Sequence, residues 1–186
     1  MCEGASVKTR IIIALLLTGS LPFAGSAPAA AQGGCTGAGA AVSARNLRQI
    51  EHATLCLLNA QRRAHGLARL HANRLLRRAA LRHSREMVRE RYFDHTSPSG
   101  ETFDYRIRQT GYLQGSGSWS LGENIAWGEG PYSTPRGIVR QWMNSAPHRH
   151  NILTPGFRGI GIGVAPGNPR SGAGGATYTT DFGSRE

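Results

Sequence analysis

The chain has 186 residues, enough for one domain that buries a core without help from a metal. Its formal net charge of +11 invites a polyanionic partner, yet Lys8 is the only lysine, so the cation excess is nearly all arginine and reads as a compositional bias acting on solvated positions. No nucleic-acid recognition motif accompanies the charge, and a nucleic-acid partner is not expected.

Lys8 and Arg10 precede the apolar run IIIALLLTGSLPFAG, which is too short and too interrupted to span a bilayer, and the small residues SAPAAAQGG follow it. Residues 1–31 are therefore expected to be a secretory signal peptide cut after Ala31, leaving a secreted, extracellular chain. Cys2 departs with that segment, and the remaining Cys35 and Cys56 predict one disulfide in an oxidising compartment; a buried free thiol at Cys56 is the alternative. Residues 32–42 are rich in Gly and Ala, show no periodicity and predict a flexible leader to a single domain over 43–186.

From Ser43, the expected N-cap, Leu47, Ile50, Thr54, Leu57, Leu58 and Gln61 follow helical spacing up to a stop near Gly66. A second helix is expected over 73–91, with Leu76, Ala80, His83 and Met87 on its buried side. Its other side is a stripe of Arg74, Arg78, Arg82, Arg85 and Arg89, read as a solvated helix face. A short third helix spans 102–110 and stops at Gly111. The fourth has Thr134 as N-cap and Pro135 in its first position, buries Ile138, Val139, Trp142 and Met143, and ends before Pro147.

Strand signals occupy ENIAWG, GIGIGVA and ATYTTDFG, the last two joined by a Pro/Gly-rich connection that suits a hairpin. The glycine face of GIGIGVA carries no side chains, so another backbone, helix or ring must lie against it. Long helices on either side of a small antiparallel sheet give an α+β layered domain, with no internal repeat. Nothing signals oligomerisation, and a monomer is expected.

There is no HExxH, GxSxG or phosphate loop, and neither remaining cysteine lies in a CxxC. What stands out are polar residues in YFDHTSPSG, LGENIAWG and WMNSAPHRHNIL, with LLNAQRRAHGLARL before them and GIGIGV and ATYTTDFG after. In this order the six blocks resemble the CAP superfamily, the cysteine-rich secretory, antigen 5 and pathogenesis-related-1 proteins, whose domain is also called SCP. The resemblance covers about 44–183 and implies secretion, a three-layer α-β-α sandwich, and a cleft whose two histidines and two glutamates bind zinc or another divalent cation in several members.

Carried over by position, the resemblance puts the histidines at His95 and His148 and the first glutamate at Glu123. Two imidazoles and one carboxylate suit an open zinc site. The second glutamate is absent: Ser145 stands three residues after Trp142, which weakens any metal binding. Glu123 has a second reading as a partner that orients His95 or His148 without metal. His150, two residues beyond His148, is read as a surface residue, because side chains at i and i+2 diverge on a helix. His83 is read as structural, and Asn124 and Asn151 as amides that lock backbone around the cleft.

Three accounts of function follow from this reading. The first is a secreted binding module for a small apolar or lipid ligand, with or without a divalent metal and without catalysis. The second is a metal-dependent hydrolase with Glu123 as general base. The third is a basic protein held on an anionic cell envelope by its arginine stripe.

Overall fold

The computed structural model describes residues 34–186; the expected signal peptide and residues 32 and 33 lie outside the described residues. Within them run α1 (Leu47–Ala64), β1 (His71–Ala72), α2 (Arg74–Glu90), α3 (Phe103–Gln109), β2 (Trp119–Gly128), α4 (Pro135–Asn144), α5 (Ala146–Leu153), β3 (Gly159–Pro166) and β4 (Ala176–Arg185). The strands form one sheet in the order β1-β3-β4-β2. β4 pairs antiparallel with both β3 and β2, while the two-residue β1, which the sequence reading lacks, pairs parallel with β3.

Alternation along β3 sorts the layers. Ile160, Ile162 and Val164 enter a core shared with Ile50, Leu57 and Leu58 of α1 and Ile138 and Trp142 of α4. The intervening glycines face α2, where a Cβ at Gly161 would overlap the backbone of Leu76 and Arg77, and one at Gly163 that of Ala80 and Leu81. The bare face lets a helix backbone lie directly on the sheet, as its lack of side chains requires. Leu76 and Ala79 of α2 then pack with Ile107 of α3 in a second, smaller core. The result is the expected α-β-α sandwich.

Local chemistry explains most helix ends. Asn73 caps α2, its side chain accepting the Leu75 and Leu76 N–H groups at 2.9 and 3.2 Å. Thr134 caps α4 by accepting from the Gly137 N–H at 3.1 Å, with Pro135 in the first turn. Gly111 takes the left-handed conformation (φ 84°) just past α3. The first helix starts later than expected, because Asn46 and not Ser43 stands at its N-cap, accepting from the Ser43 N–H at 2.8 Å. All five stripe arginines of α2 are exposed.

The expected leader needs correcting. Residues 34–42 are folded against the domain: Cys35 and Ala38 are buried in the main core, and the Ala38 carbonyl accepts the Arg136 N–H at 2.8 Å. Low periodicity here reflects a chain of turns rather than a free arm. Cys35 and Cys56 form a disulfide (Sγ–Sγ 2.01 Å) across 21 residues, so Cys56 is not a free thiol. Cross-linking a loop of that length restricts the unfolded chain, and Cys56→Ser is expected to lower unfolding free energy by ~3 kcal/mol. Urea titration of the two proteins checks this; coincident midpoints would show that the crosslink contributes nothing.

Candidate functional site

The site forms beside β2, which lies at one edge of the sheet. From one outer layer, the loop between α2 and α3 brings His95; from the other, α5 brings His148. Several buried groups hold that loop. His83, buried in α2, bonds the Asp94 carbonyl through Nε2 at 3.0 Å; the Ser97 hydroxyl donates to Glu86 at 2.9 Å; and Arg106 of α3 donates to the His95 carbonyl at 2.9 Å. Burial lowers the His83 pKa, so this residue is the neutral core histidine that the sequence reading expected.

The other wall is fixed as firmly. Asn124 donates to the His148 carbonyl at 3.0 Å, and Asn151 donates to the Glu123 carbonyl at 3.1 Å and to the Asn124 side chain at 2.9 Å. These are the backbone-locking roles expected of the two amides. Beneath them Arg62, fully buried, donates to the carbonyls of Ile152 and Thr154 at 2.8 and 2.9 Å, satisfying the end of α5. The fourth helix ends at Asn144, before Pro147 as expected, and Pro147 itself lies in the first turn of α5, a helix that the sequence reading lacks. His148 is half-buried on α5, whereas His150 is exposed. Their i, i+2 spacing on a helix sends them to different faces.

Glu123 organises the centre. Its side chain is 1% exposed; one oxygen lies 2.7 Å from His95 Nδ1 and the other 2.8 Å from the fully buried Arg106 guanidinium. Burial pushes the carboxyl pKa up, but the hydrogen bond from His95 and the charge of Arg106 outweigh it, and the net shift is downward. A carboxylate only accepts, so His95 donates through Nδ1. That leaves Nε2 as the free ring nitrogen. The same bond raises the His95 pKa, while burial and then the charge of His95 lower that of His148. Free of metal, the two imidazoles are expected to titrate on opposite sides of the ordinary value of about 6.5, which histidine NMR reads directly.

The three residues carried over from the resemblance do not meet as equal ligands. No three His, Cys, Asp or Glu side chains among the described residues converge on one point, and both Glu123 oxygens are engaged. The contact of Glu123 with His95 Nδ1 is the geometry in which a carboxylate orients a histidine. Zinc or another divalent cation here would have His95 and His148 as its direct protein donors, fewer than an open zinc site uses. As a general base, Glu123 would have to take a proton while holding both His95 and Arg106, and its lowered pKa makes it a weak base. Ser145, in place of the second glutamate, stands at the N-cap of α5 and shares with His148 a pocket of about 270 Å³, walled by Phe93, Ile125, Trp127 and Trp142.

Sequence reasoning missed Arg106 and Asp181. Asp181 faces Glu123 across the β2–β4 ladder, is 1% exposed, and neither of its carboxyl oxygens has a hydrogen-bond donor. Burial and then the charge of Glu123 raise its pKa well above the usual value, so Asp181 keeps its proton. The sign follows: a raised carboxyl contributes its full stability below about pH 3.9 and loses it as pH rises through the native value. Asp181→Asn is therefore expected to be more stable than the parent at neutral pH, with the difference vanishing near pH 4. Denaturant titrations at several pH values check it; a constant difference would mean that folding leaves the Asp181 pKa unshifted.

Comparison with known proteins adds the following. The model of the CAP family, described as the cysteine-rich secretory protein family, matches residues 55–181. The chain is 38% identical over 143 residues to the uncharacterized protein YkwD of Bacillus subtilis (strain 168), covering 75% of this chain and 51% of YkwD. It is similar to the crystal structure of an extracellular protein containing an SCP domain from Bacillus anthracis str. Ames, with TM-score 0.60 and 28% identity over 76% of this chain and 43% of that one. An outer surface protein of Borrelia burgdorferi shares the fold, with TM-score 0.58 and 21% identity over 69% of this chain and 87% of that one. The chain thus spans about half of YkwD and less than half of the B. anthracis protein.

Proposed function

Because the chain belongs to the CAP family of cysteine-rich secretory proteins, we propose that it is an extracellular binding module whose cleft takes a small apolar or lipid ligand. The observation that carries this reading is the pocket beside His148, where Phe93, Ile125 and Trp127 give an apolar wall and the imidazole and Ser145 a polar end. The reading without catalysis is favoured because His95 and Arg106 hold the Glu123 pKa down, which makes it a weak base. Two features support an extracellular place: the disulfide, which is characteristic of oxidising compartments, and the likeness to extracellular and outer-surface proteins.

Mass spectrometry of small molecules released from the secreted protein tests the proposal. A bound apolar molecule is expected in the parent and in His150→Ala, and is expected to be lost from Ser145→Trp, where the indole fills the pocket. Release from all three alike would place the ligand elsewhere. Metal is tested separately: zinc uptake is expected to fall in His95→Ala and in His148→Ala but not in His150→Ala, and equal calorimetric affinity in all three would refute a two-histidine site.

A second reading has its own observation. Arg74, Arg78 and Arg85 stand exposed on one face of α2 with no acidic partner among the described residues. Docking of that face on an anionic cell envelope predicts retention on anionic vesicles that vanishes at high salt.

A further inference from the structure

A second recess lies on the opposite edge of the sheet from the His95 cleft. β1 ends after two residues, at Ala72, and Asn73 turns the chain into α2, whereas β3 continues to Pro166. Beyond Ile160 the edge of β3 therefore has no strand beside it among the described residues. A notch of about 260 Å³ opens there between α1 and the first turn of α2. Leu55, Ala72, Ile160 and Ile162 make it apolar, and Ile162 remains 6% exposed at its floor.

The rim is cationic. Arg48, Arg74 and Arg77 line the notch with one acid, Glu51. That acid is spent: its oxygens accept from Arg77 Nε and a terminal Arg77 nitrogen, both at 2.7 Å, and Arg48 approaches at 3.3 Å. Glu51 is 5% exposed, and its bidentate grip fixes the Arg77 guanidinium at the mouth. Arg74 has no acidic partner among the described residues. The local charge is thus positive beside an apolar floor too small for a long chain, a combination that fits an anionic head on a short apolar body.

We propose that this notch binds a small amphipathic anion, a medium-chain carboxylate, with its head on Arg74, Arg77 and Arg48 and its body over Leu55, Ile160 and Ile162. The site is separate from the His148 pocket and stands whether or not that pocket holds a ligand.

Sodium octanoate is the probe, titrated into the full mature protein and followed by NMR at the isoleucine methyls, His52 and His148. Saturable shifts are expected at Ile160, Ile162 and His52 and not at His148. Acetate, which lacks the body, and octanol, which lacks the charge, are each expected to bind at least about tenfold more weakly. Arg48→Ala with Arg74→Ala, both exposed and clear of the core, is expected to weaken octanoate by about tenfold with an unchanged unfolding midpoint. Leu55→Trp, which fills the notch, is expected to remove the shifts. No saturable shift, shifts confined to His148, or equal affinity for octanoate and octanol would each overturn the proposal.

Discussion

Arg106→Leu is expected to lower the unfolding free energy by about 3–5 kcal/mol, the larger of the two strongest effects anticipated in this protein. Arg106 and Glu123 are both buried and 2.8 Å apart, so removing the guanidinium leaves a carboxylate without its cation in a place that water does not reach. The same side chain holds the Glu101 and His95 carbonyls, so the loop carrying His95 should also loosen. Most of the cost lies in the orphaned charge and not in lost packing. Arg106→Leu combined with Glu123→Leu should therefore recover part of the loss, because an apolar pair replaces an unpaired ion. Denaturant unfolding of the two single variants and the double variant decides this; a double variant whose loss equals the sum of the single losses would refute it.

The second large effect concerns the bare face of β3. Gly161→Ala places a methyl on the backbone of Leu76 and Arg77, and neither a helix backbone nor a paired strand can give way at low cost. The expected loss is at least about 3 kcal/mol, the upper range of overpacking, and Gly161→Val should prevent folding. Gly156→Ala is the control, since nothing lies within 4 Å of a Cβ there. Thermal melts of the two alanine variants separate the cases; equal melting temperatures would mean that α2 does not rest on β3 as described.

Much of this architecture was legible because local chemistry and tertiary packing agree. Thr134 with Pro135 marks the start of α4, and the alternation of isoleucine with glycine marks both faces of β3. The cysteines were legible through compartment logic. Three things were hidden, for different reasons. α5 was obscured because Pro147 reads as a stop, although a proline is equally at home in a helix's first turn. β1 is too short to show any periodicity. The two buried arginines were lost in a composition so rich in arginine that each looked solvated. A signal existed for both: Arg62 extends the i, i+4 line of Thr54 and Leu58, and Arg106 stands beside Ile107 on the buried side of α3.

The candidate site shows the same division. His95, Glu123 and His148 could be picked out along the chain, and the structure brings His95 and Glu123 into contact, with His148 near enough to feel the charge of His95. Which of them face the cleft and which stand behind could not be picked out, because Arg106 and Asp181 decide it through burial and charge. Asp181 shares a strand with Thr177 and Thr179 and looks in sequence like one more strand residue.

The account depends most on Glu123 holding His95 by Nδ1 so that Nε2 is left to the cleft. Long-range nitrogen–proton NMR of metal-free protein reports this tautomer directly. The expected spectrum shows the His95 proton on Nδ1, an imidazole titrating above the ordinary range, and a fall in that pKa in Glu123→Gln. A proton on Nε2, or a His95 titration that Glu123→Gln leaves unmoved, would contradict it.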